Sequence, residues 1–190
     1  MGEMTSPSEF TTAGAWVLVG GLFPFQFGPN EQGDKLGVVR LGGHLEAHEN
    51  PWHCAVRELQ EEASLKIDYL SPPCTYQLSQ DEKELTPIKW EHPLVPEVPI
   101  LRSSRGGVLF LAKSNDQPKP MNETRGLLLL SRSDVLYLSA NIVTLQEYLS
   151  SGKCAVIRED LPPLDTGLQL QIRGPKLLAK VLALHPDLGS

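Results

Sequence analysis

Three glutamates lie within five residues of one short segment, at Glu58, Glu61 and Glu62. On a helix these positions are i, i+3 and i+4, so the three side chains are neighbours on one surface. Like charges at i and i+4 cost about 0.2–0.5 kcal/mol per pair. A hard divalent cation such as Mg²⁺ or Mn²⁺ prefers carboxylate oxygens and keeps positions free for phosphate. The cluster therefore predicts a metal–pyrophosphate site, and the simpler alternative is a solvated acidic helix face.

The helix that would carry these glutamates is expected to begin at Asn50 and Pro51. Asparagine caps free N–H groups at a helix start, and proline fits the first turn. At 100° per residue, the apolar residues that follow fall within one arc of about 100°. This arc comprises Trp52, Ala55, Val56, Leu59 and Ala63. The glutamates flank it, which predicts a helix that packs on the core and presents carboxylates along one edge.

Apolar runs and turn residues predict the elements around this helix. Strands are expected at 15–22, 35–41, 66–70, 75–79 and 108–112, and helices at 133 onward, 142–149 and 175–185. The Gly-, Pro- and Asn-rich stretch 23–34 and the polar, Pro-containing stretch 80–106 are expected to be loops. The alternation of strands and helices predicts an α/β or α+β fold. We expect a flexible N-terminus at residues 1–12 and a single domain over 13–190 that ends in a helix.

Composition narrows the classes of function. The chain has 190 residues and a net charge of -6, which argues against a nucleic-acid polymer as partner. No apolar run reaches the ~18 residues of a membrane helix, so no membrane association is expected. The three cysteines, Cys54, Cys74 and Cys154, form no CxxC pair. They are typical of free thiols in a reducing compartment and predict a cytoplasmic location.

The full spacing around the glutamates resembles the Nudix box, G-x5-E-x7-R-E-U-x-E-E-x-G-U, in which U is aliphatic. The matching positions are Gly43, Glu49, Arg57, Glu58, Leu59, Glu61, Glu62 and Leu65. One position departs, because Ser64 stands where the family has glycine. Glycine at a helix end usually adopts the left-handed conformation, which costs other residues about 1–2 kcal/mol. We expect a modest loss of stability or a shifted loop, with activity retained.

The resemblance implies a Nudix-type α/β/α sandwich around a mixed β-sheet. It also implies hydrolysis of a nucleoside diphosphate linked to another moiety, with Mg²⁺ or Mn²⁺ as cofactor. Glu58, Glu61 and Glu62 would be metal ligands, and the carbonyl of Gly42, in the turn before the box, would be a further ligand. Glu58 and Glu61 belong to the catalytic set, and Glu58 is a candidate for the base that activates water.

The resemblance extends to residues that act beside the metal ligands. Arg57 would pair with Glu49 and so orient the carboxylates, which places both in the catalytic set. Many family members use a further glutamate outside the box, after the late strand. Glu123 is expected in this role as a metal ligand, with Glu91 and Glu97 as alternatives.

Two residues outside the box are candidates for substrate binding. Arg40 precedes the box on its strand and would contact phosphate, although lone arginines more often face solvent. Trp90 would stack on a base, although loop aromatics often merely pack.

The substrate subgroup stays open between nucleotide sugars, ADP-ribose, modified nucleoside triphosphates and coenzyme derivatives. The oligomeric state also stays open, and homodimers are common among similar proteins. The alternative function is a catalytically silent Nudix-fold module that binds a nucleotide-type ligand, which typically lacks glutamates of the box.

Overall fold

The computed structural model describes residues 9–93 and 95–190. Twelve strands and four helices lie within these residues. The strands are β1 (Thr12–Leu18), β2 (Phe23–Pro29), β3 (Lys35–Val39), β4 (Leu41–His44), β5 (Asp68–Leu70), β6 (Thr75–Leu78), β7 (Leu85–Ile88), β8 (Leu101–Ser103), β9 (Gly107–Lys113), β10 (Gly126–Leu130), β11 (Cys154–Ile157) and β12 (Gln169–Ile172). The helices are α1 (Pro51–Ala63), α2 (Arg132–Ala140), α3 (Leu145–Ser150) and α4 (Gly174–Leu184).

The strands form two mixed sheets. The larger sheet has the order β4-β1-β9-β8-β6-β7, and β5 adds to β9. The smaller sheet has the order β11-β10-β2-β3-β12. Helix α1 packs on β1 and β4, whereas α2 and α4 pack together against β10 and β3 of the smaller sheet. The mixed α/β fold expected from the sequence is confirmed, with the strands divided between two sheets.

Strand β1 is buried on both faces, which explains its almost continuous apolar sequence. Ala13, Ala15 and Val17 belong to the core cluster beneath α1. Trp16 belongs to the second core cluster, which includes residues of the smaller sheet, α2 and α4. Because β1 pairs with β4, it also fixes the glycine turn that precedes α1.

Helix α1 has the start that the sequence predicts. Asn50 Oδ1 accepts a hydrogen bond from the backbone N–H of Trp52 at 2.7 Å, and Pro51 is the first helical residue. Leu59 and Ala63 are fully buried, so the apolar stripe faces the core. The helix ends at Ser64, which adopts the left-handed conformation with φ 56° and ψ 33°. The glutamates between these ends are therefore held on a helix fixed at both termini.

Two expected loops contain strands. The stretch 23–34 was expected to be a loop, but its first part is β2, in which Phe23, Phe25 and Phe27 are buried at alternate positions. This period of two outweighs the Pro and Gly content of the stretch. The stretch 80–106 contains β7 and β8, and Pro87 is tolerated because β7 is an edge strand.

Smaller differences concern the ends of elements. The helix expected at 142–149 begins only at Leu145, because Thr144 forms its N-terminal capping box with Glu147. Of the expected N-terminal tail, residues 1–8 lie outside the described residues. Phe10 is buried, and the N–H of Thr11 donates to Gly106 O at 2.9 Å, so packed chain begins before residue 13. None of the helices in residues 9–93 and 95–190 combines the length and apolar character needed to cross a membrane.

Candidate active site

Arg57 lies at the centre of the acidic edge of α1. Its Nε and Nη2 each donate to one carboxylate oxygen of Glu49 at 2.9 Å. Its Nη1 donates to Glu58 at 2.8 Å and more weakly to Glu61 at 3.3 Å. Nη2 also donates to the carbonyl of His44 at 3.0 Å. One guanidinium therefore ties three carboxylates of the box to the end of β4.

The Arg57–Glu49 pair is bidentate and only partly exposed, with 23% of the Arg57 side chain and 12% of the Glu49 side chain accessible. Hydrogen bonding to Arg57 lowers the pKa of Glu49 below its ordinary value. In turn, hydrogen bonding to Glu49 raises the pKa of Arg57. Planar pairs of this kind combine charge with a fixed geometry. The structure thus places Arg57 against Glu49 in the way expected for an orienting pair.

The carboxylate of Glu58 lies flat against the backbone of Gly43. A Cβ at position 43 would lie 2.4–2.6 Å from both oxygens and the Cδ of Glu58. Real Cβ atoms do not make contacts this short, so any side chain at position 43 would displace Glu58. Glycine at this position therefore leaves the Glu58 carboxylate where it is, whereas any other residue would make that side chain move.

Residues of the neighbouring strands, rather than Arg57, bind the carboxylate of Glu62. Its Oε2 accepts from the backbone N–H of Gly42 at 2.8 Å, and its Oε1 accepts from Gln26 Nε2 at 2.8 Å. Burial raises the pKa of Glu62 above its ordinary value, although both hydrogen bonds favour the charged form. Glu62 is thus the carboxylate of α1 that contacts the smaller sheet through Gln26.

Arg40 lies beneath the glycine turn. Its Nη1 is 3.4 Å from Leu41 O and 3.5 Å from Ala13 O, which are long contacts. A Cβ at Gly42 would lie 2.2 Å from Nη1 and one at Gly14 would lie 2.5 Å from it, so these two glycines make room for the guanidinium. Burial lowers the pKa of Arg40, while the negative charge of Glu62 raises it. Arg40 therefore contributes positive charge on the strand side of the carboxylates.

Glu123 is brought to the end of α1 by its neighbours in the chain. The N–H of Met121 donates to Glu62 O at 2.9 Å, and the Asn122 side chain donates to Glu61 O at 3.0 Å. Glu123 follows directly and is exposed. Its place beside two residues of the box keeps it as our candidate for the glutamate outside the box.

The two alternatives to Glu123 lie in the segment between β7 and β8. Glu91 is exposed and forms an ion pair with Lys89. One carboxylate oxygen of Glu97 is buried and has no hydrogen-bond partner among the residues that the structure describes. Among the residues that the structure describes, neither Glu91 nor Glu97 forms a hydrogen bond with α1.

Trp90 packs in an aromatic group at the edge of the larger sheet. Its ring centroid lies 5.9 Å from that of Phe10 and 5.9 Å from that of His92. Its indole N–H donates to Val95 O at 3.2 Å. These contacts hold the ring against the protein and give no support to base stacking. Stacking of Trp90 on a base stays a prediction.

The donor set suits a hard divalent cation, since it consists of carboxylate oxygens beside a glycine turn. In the arrangement described, these carboxylates contact Arg57, Gln26 and Gly42. Within residues 9–93 and 95–190, no three His, Cys, Asp or Glu side chains converge as a metal site. The cradle at Gly43, which only an unsubstituted backbone provides, fits a carboxylate held for such a role.

Sequence reasoning missed two residues that hold the site together. Gln26 lies in the stretch expected to be a loop, yet it bridges Glu62 and the carbonyl of Arg40. The signal was present, because Gln26 is the polar residue inside an alternating Phe pattern. Asn122 carries no comparable signal, since its role depends on where the segment before β10 crosses the end of α1.

A family profile described as NUDIX domain matches residues 7–138. The chain therefore belongs to the Nudix family, a class of hydrolases that act on pyrophosphate bonds. A search among curated proteins returns no match.

Several solved structures are similar to this chain at low sequence identity. A hydrolase of the NUDIX family from Clostridium perfringens is 20% identical, with 65% of this chain and 81% of that chain covered and a TM-score of 0.43. A C. elegans Ap4A hydrolase binary complex is 16% identical, with 66% and 83% covered and a TM-score of 0.44. An ADP-ribose pyrophosphatase from Streptococcus suis 89-1591 is 14% identical, with 93% and 92% covered and a TM-score of 0.45.

Proposed function

We propose that this protein is a Mg²⁺- or Mn²⁺-dependent hydrolase that cleaves the phosphoanhydride bond of a nucleoside diphosphate linked to another moiety. The observation that carries the proposal is the acidic edge of α1, where Arg57 ties Glu49, Glu58 and Glu61 together. Like charges this close are unfavourable without a cation, and Arg57 alone carries one positive charge for three carboxylates. A divalent cation would complete the neutralisation and bring the substrate phosphates with it.

The proposed ligands are Glu58, Glu61 and Glu62 on α1, with the Gly42 carbonyl and Glu123 beside them. A bound divalent cation would neutralise charge on the phosphates and lower the pKa of a bound water.

The remaining roles belong to residues beside these ligands. Glu58, held in the cradle of Gly43, would accept the proton of the attacking water. Arg57 and Glu49 act as positioning residues for Glu58. Arg40 would offer positive charge to a phosphate oxygen from the strand side.

The proposal includes a small nucleotide derivative as partner. We place the protein in a reducing compartment, the cytoplasm, because Cys54, Cys74 and Cys154 are all free thiols. A homodimer is also proposed, and its mass by light scattering would test it.

The first experiment is hydrolysis of a panel of nucleoside diphosphate derivatives with Mg²⁺ or Mn²⁺. Glu61→Gln removes one charged ligand, and Glu84→Gln, at an exposed site in a distant turn, is the matched control. We expect metal-dependent turnover of at least one compound, lost in Glu61→Gln and kept in Glu84→Gln. A silent panel, with the wild type still binding one of the compounds, would overturn the hydrolase and support the binding module.

A further inference from the structure

The chain crosses the C-terminal end of α1 just before it enters β10. The last four carbonyl groups of a helix have no partner within the helix itself. Here the N–H of Met121 donates to Glu62 O at 2.9 Å, and the side chain of Asn122 donates to Glu61 O at 3.0 Å. The segment therefore binds the backbone of two residues whose side chains are proposed metal ligands.

Residues 121–124 form a tight turn that carries Glu123. The N–H of Thr124 closes the turn by donating to Met121 O at 2.9 Å. Asn122 has φ 48°, in the left-handed region, which asparagine adopts more readily than most residues. Glu123 comes next and is exposed. The direction of its carboxylate therefore depends on the backbone of this turn.

The turn is also joined to the carboxylates of α1 through Gln26. Thr124 is buried, and its hydroxyl lies 3.4 Å from Gln26 Oε1. In turn, Gln26 Nε2 donates to Glu62 Oε1 at 2.8 Å. Glu123 and Gln26 line the same cavity on the smaller sheet. The turn therefore presents Glu123 on the side of the molecule where Glu62 is held.

Arg158, at the end of β11, binds the same turn from a distant part of the chain. Its Nη1 donates to the carbonyl of Asn122, which lies 36 positions earlier. Its Nε donates to one carboxylate oxygen of Asp160 at 2.9 Å, and its Nη2 donates to the other. A bidentate pair of this kind fixes the plane of the guanidinium. Asp160 therefore aims the remaining nitrogen of Arg158 at the turn.

The register of the smaller sheet brings Arg158 to this position. Strand β11 pairs antiparallel with β10, and Ile157, its last residue, lies opposite Gly126, the first residue of β10. The N–H of Arg158 then donates to Arg125 O at 3.1 Å, which extends the pairing by one residue. Only 19% of the Arg158 side chain is exposed. Both the backbone and the side chain of Arg158 are thus held beside the turn.

The contact from Arg158 falls on the peptide group that joins Asn122 to Glu123. A peptide group is planar, so the carbonyl of Asn122 and the N–H of Glu123 rotate together. Rotation of this group would change φ of Glu123 and redirect its side chain. A hydrogen bond to the carbonyl opposes that rotation. Arg158 therefore acts on the one peptide group that determines where Glu123 points.

We propose that Arg158 is a positioning residue for Glu123. It holds the 121–124 turn in the conformation that presents Glu123 to the metal site of α1, and Asp160 orients Arg158 for this contact. The inference rests on the proposed function, in which Glu123 is a metal ligand. It assigns a role in metal binding to a pair of residues that lies outside the box.

Binding of Mn²⁺ without substrate tests this role. We would titrate Mn²⁺ into the wild type and into Arg158→Gln and follow free Mn²⁺ by electron paramagnetic resonance. Residues that orient metal ligands contribute about 10–100-fold in metal affinity. Because Arg158 acts through a turn, we expect the lower end of this range, a rise of about tenfold in Kd. An unchanged Kd in Arg158→Gln would overturn the proposal.

The matched control is Arg105→Gln. Arg105 is exposed and donates to the backbone carbonyl of Gln80 at 3.2 Å, so it also joins two separate segments through a guanidinium. Both segments adjoin strands of the larger sheet, away from the 121–124 turn. The Kd for Mn²⁺ should therefore stay at the wild-type value. A rise as large as that in Arg158→Gln would show that loss of any such arginine weakens metal binding, which contradicts a specific role.

A double-mutant cycle tests whether Arg158 acts through Glu123. Glu123→Gln should itself weaken Mn²⁺ binding, because it removes a charged oxygen ligand. If Arg158 acts by placing Glu123, adding Arg158→Gln to Glu123→Gln should change the Kd little further. A merely structural role for Arg158 predicts additive effects instead. Additive effects, or wild-type affinity in Glu123→Gln alone, would refute the assignment.

Amide hydrogen exchange of the metal-free protein measures the turn directly. Peptides that cover 119–125 should exchange faster in Arg158→Gln than in the wild type. Asp160→Asn is a milder change, since the Asp160 side chain is 64% exposed and Arg158 remains. It should shift both exchange and Kd in the same direction by a smaller factor, with the thermal unfolding midpoint close to that of the wild type. Wild-type exchange at 119–125 in both variants would contradict a hold on the turn.

The two proposals fail in different ways. If the wild type binds Mn²⁺ and hydrolyses a compound of the panel, but Arg158→Gln matches it in Kd and kcat/KM, the hydrolase stands and the role of Arg158 fails. If Arg158→Gln and Glu123→Gln weaken Mn²⁺ binding non-additively but no compound is hydrolysed, the role of Arg158 stands and the hydrolase fails.

Discussion

The guanidinium of Arg57 and the carboxylate of Glu49 form two parallel hydrogen bonds, each 2.9 Å long. The same guanidinium contacts Glu58 and Glu61, so the position of Glu49 determines how Arg57 meets the proposed metal ligands. Glu49 lies just before α1, whereas the other two carboxylates lie within it. The pair therefore connects the segment before α1 to the carboxylates along the edge of that helix.

Replacing Glu49 should impair catalysis without removing a ligand. In Glu49→Gln the bidentate pair is lost, and Arg57 is free to contact Glu58 and Glu61 more closely. Partners that orient metal ligands typically contribute about 10–100-fold in metal affinity or activity. We therefore expect kcat/KM to fall by about that factor and the Mg²⁺ concentration for half-maximal rate to rise.

The control for this change is Glu46→Gln. The Glu46 carboxylate lies 3.8 Å from Arg57 Nε and its side chain is 70% exposed, so its contribution is small. Kinetics of the two variants over a Mg²⁺ titration would separate them. Equal effects of both substitutions would contradict an orienting role for Glu49.

Gly43→Ala should disable the site through Glu58. The new Cβ would lie 2.4–2.6 Å from the Glu58 carboxylate, so this side chain must move out of its cradle. We expect turnover to fall by at least about tenfold. Steady-state kinetics and a thermal melt would measure the effect on activity and on stability.

A second variant distinguishes displacement of Glu58 from general damage at Gly43. In Gly43→Ala combined with Glu58→Ala, the clash is absent. Its unfolding midpoint should therefore match that of Glu58→Ala alone. A much lower midpoint in the double variant would show that alanine at position 43 disturbs the β4 turn itself.

Sequence alone predicted α1 well because its signals are local. Asn50 and Pro51 fix the start, and the position of Ser64 in the box indicates a left-handed end, which the structure has. The resemblance to the Nudix box implied the pairing of Arg57 with Glu49, and the two side chains are hydrogen-bonded in the structure. Residues that act within one helix and its caps can thus be recognised from their order in the chain.

The remainder of the site depends on contacts between distant segments. Gln26 meets Glu62 across 36 positions, and the strand that carries it was expected to be a loop. Asn122 meets Glu61 across 61 positions, where the segment before β10 crosses the end of α1. No local pattern fixes such contacts, since they depend on how β2 pairs with β3 and β10 and on how distant segments pack together.

The left-handed conformation of Ser64 predicts a stabilising substitution. With φ 56° and ψ 33°, a residue with a Cβ is disfavoured by about 1–2 kcal/mol. Ser64→Gly removes this cost, and the greater freedom of glycine in the unfolded state offsets part of it. We expect a net gain of about 0.5–1 kcal/mol and a rise of about 1–4 °C in the unfolding midpoint. Ser64→Ala, which keeps the Cβ, should show no such gain, and activity should be retained in Ser64→Gly.

Asp134 should make stability depend on pH at acid values. It lies in the first turn of α2, where its carboxylate accepts from the Ser131 backbone N–H at 2.9 Å and pairs with Lys153. Burial opposes the charged form, but the bonds from Lys153 and Ser131 prevail, so the pKa of Asp134 is lowered in the folded state. A carboxyl whose pKa is lower in the folded state stabilises the protein above its unfolded pKa of about 3.9. That contribution is lost as the pH falls through the folded pKa.

The measurement is the free energy of unfolding of the wild type and of Asp134→Asn, by urea titration between neutral and strongly acidic pH. The difference between the two proteins should be constant above about pH 5 and should shrink as the pH falls below about 4. Lys153→Met should reduce the difference at neutral pH, because it removes the ion pair and leaves the capping box of Ser131 in place. A difference that stays constant down to the lowest pH would show that Asp134 contributes as a hydrogen-bond acceptor rather than as a charge.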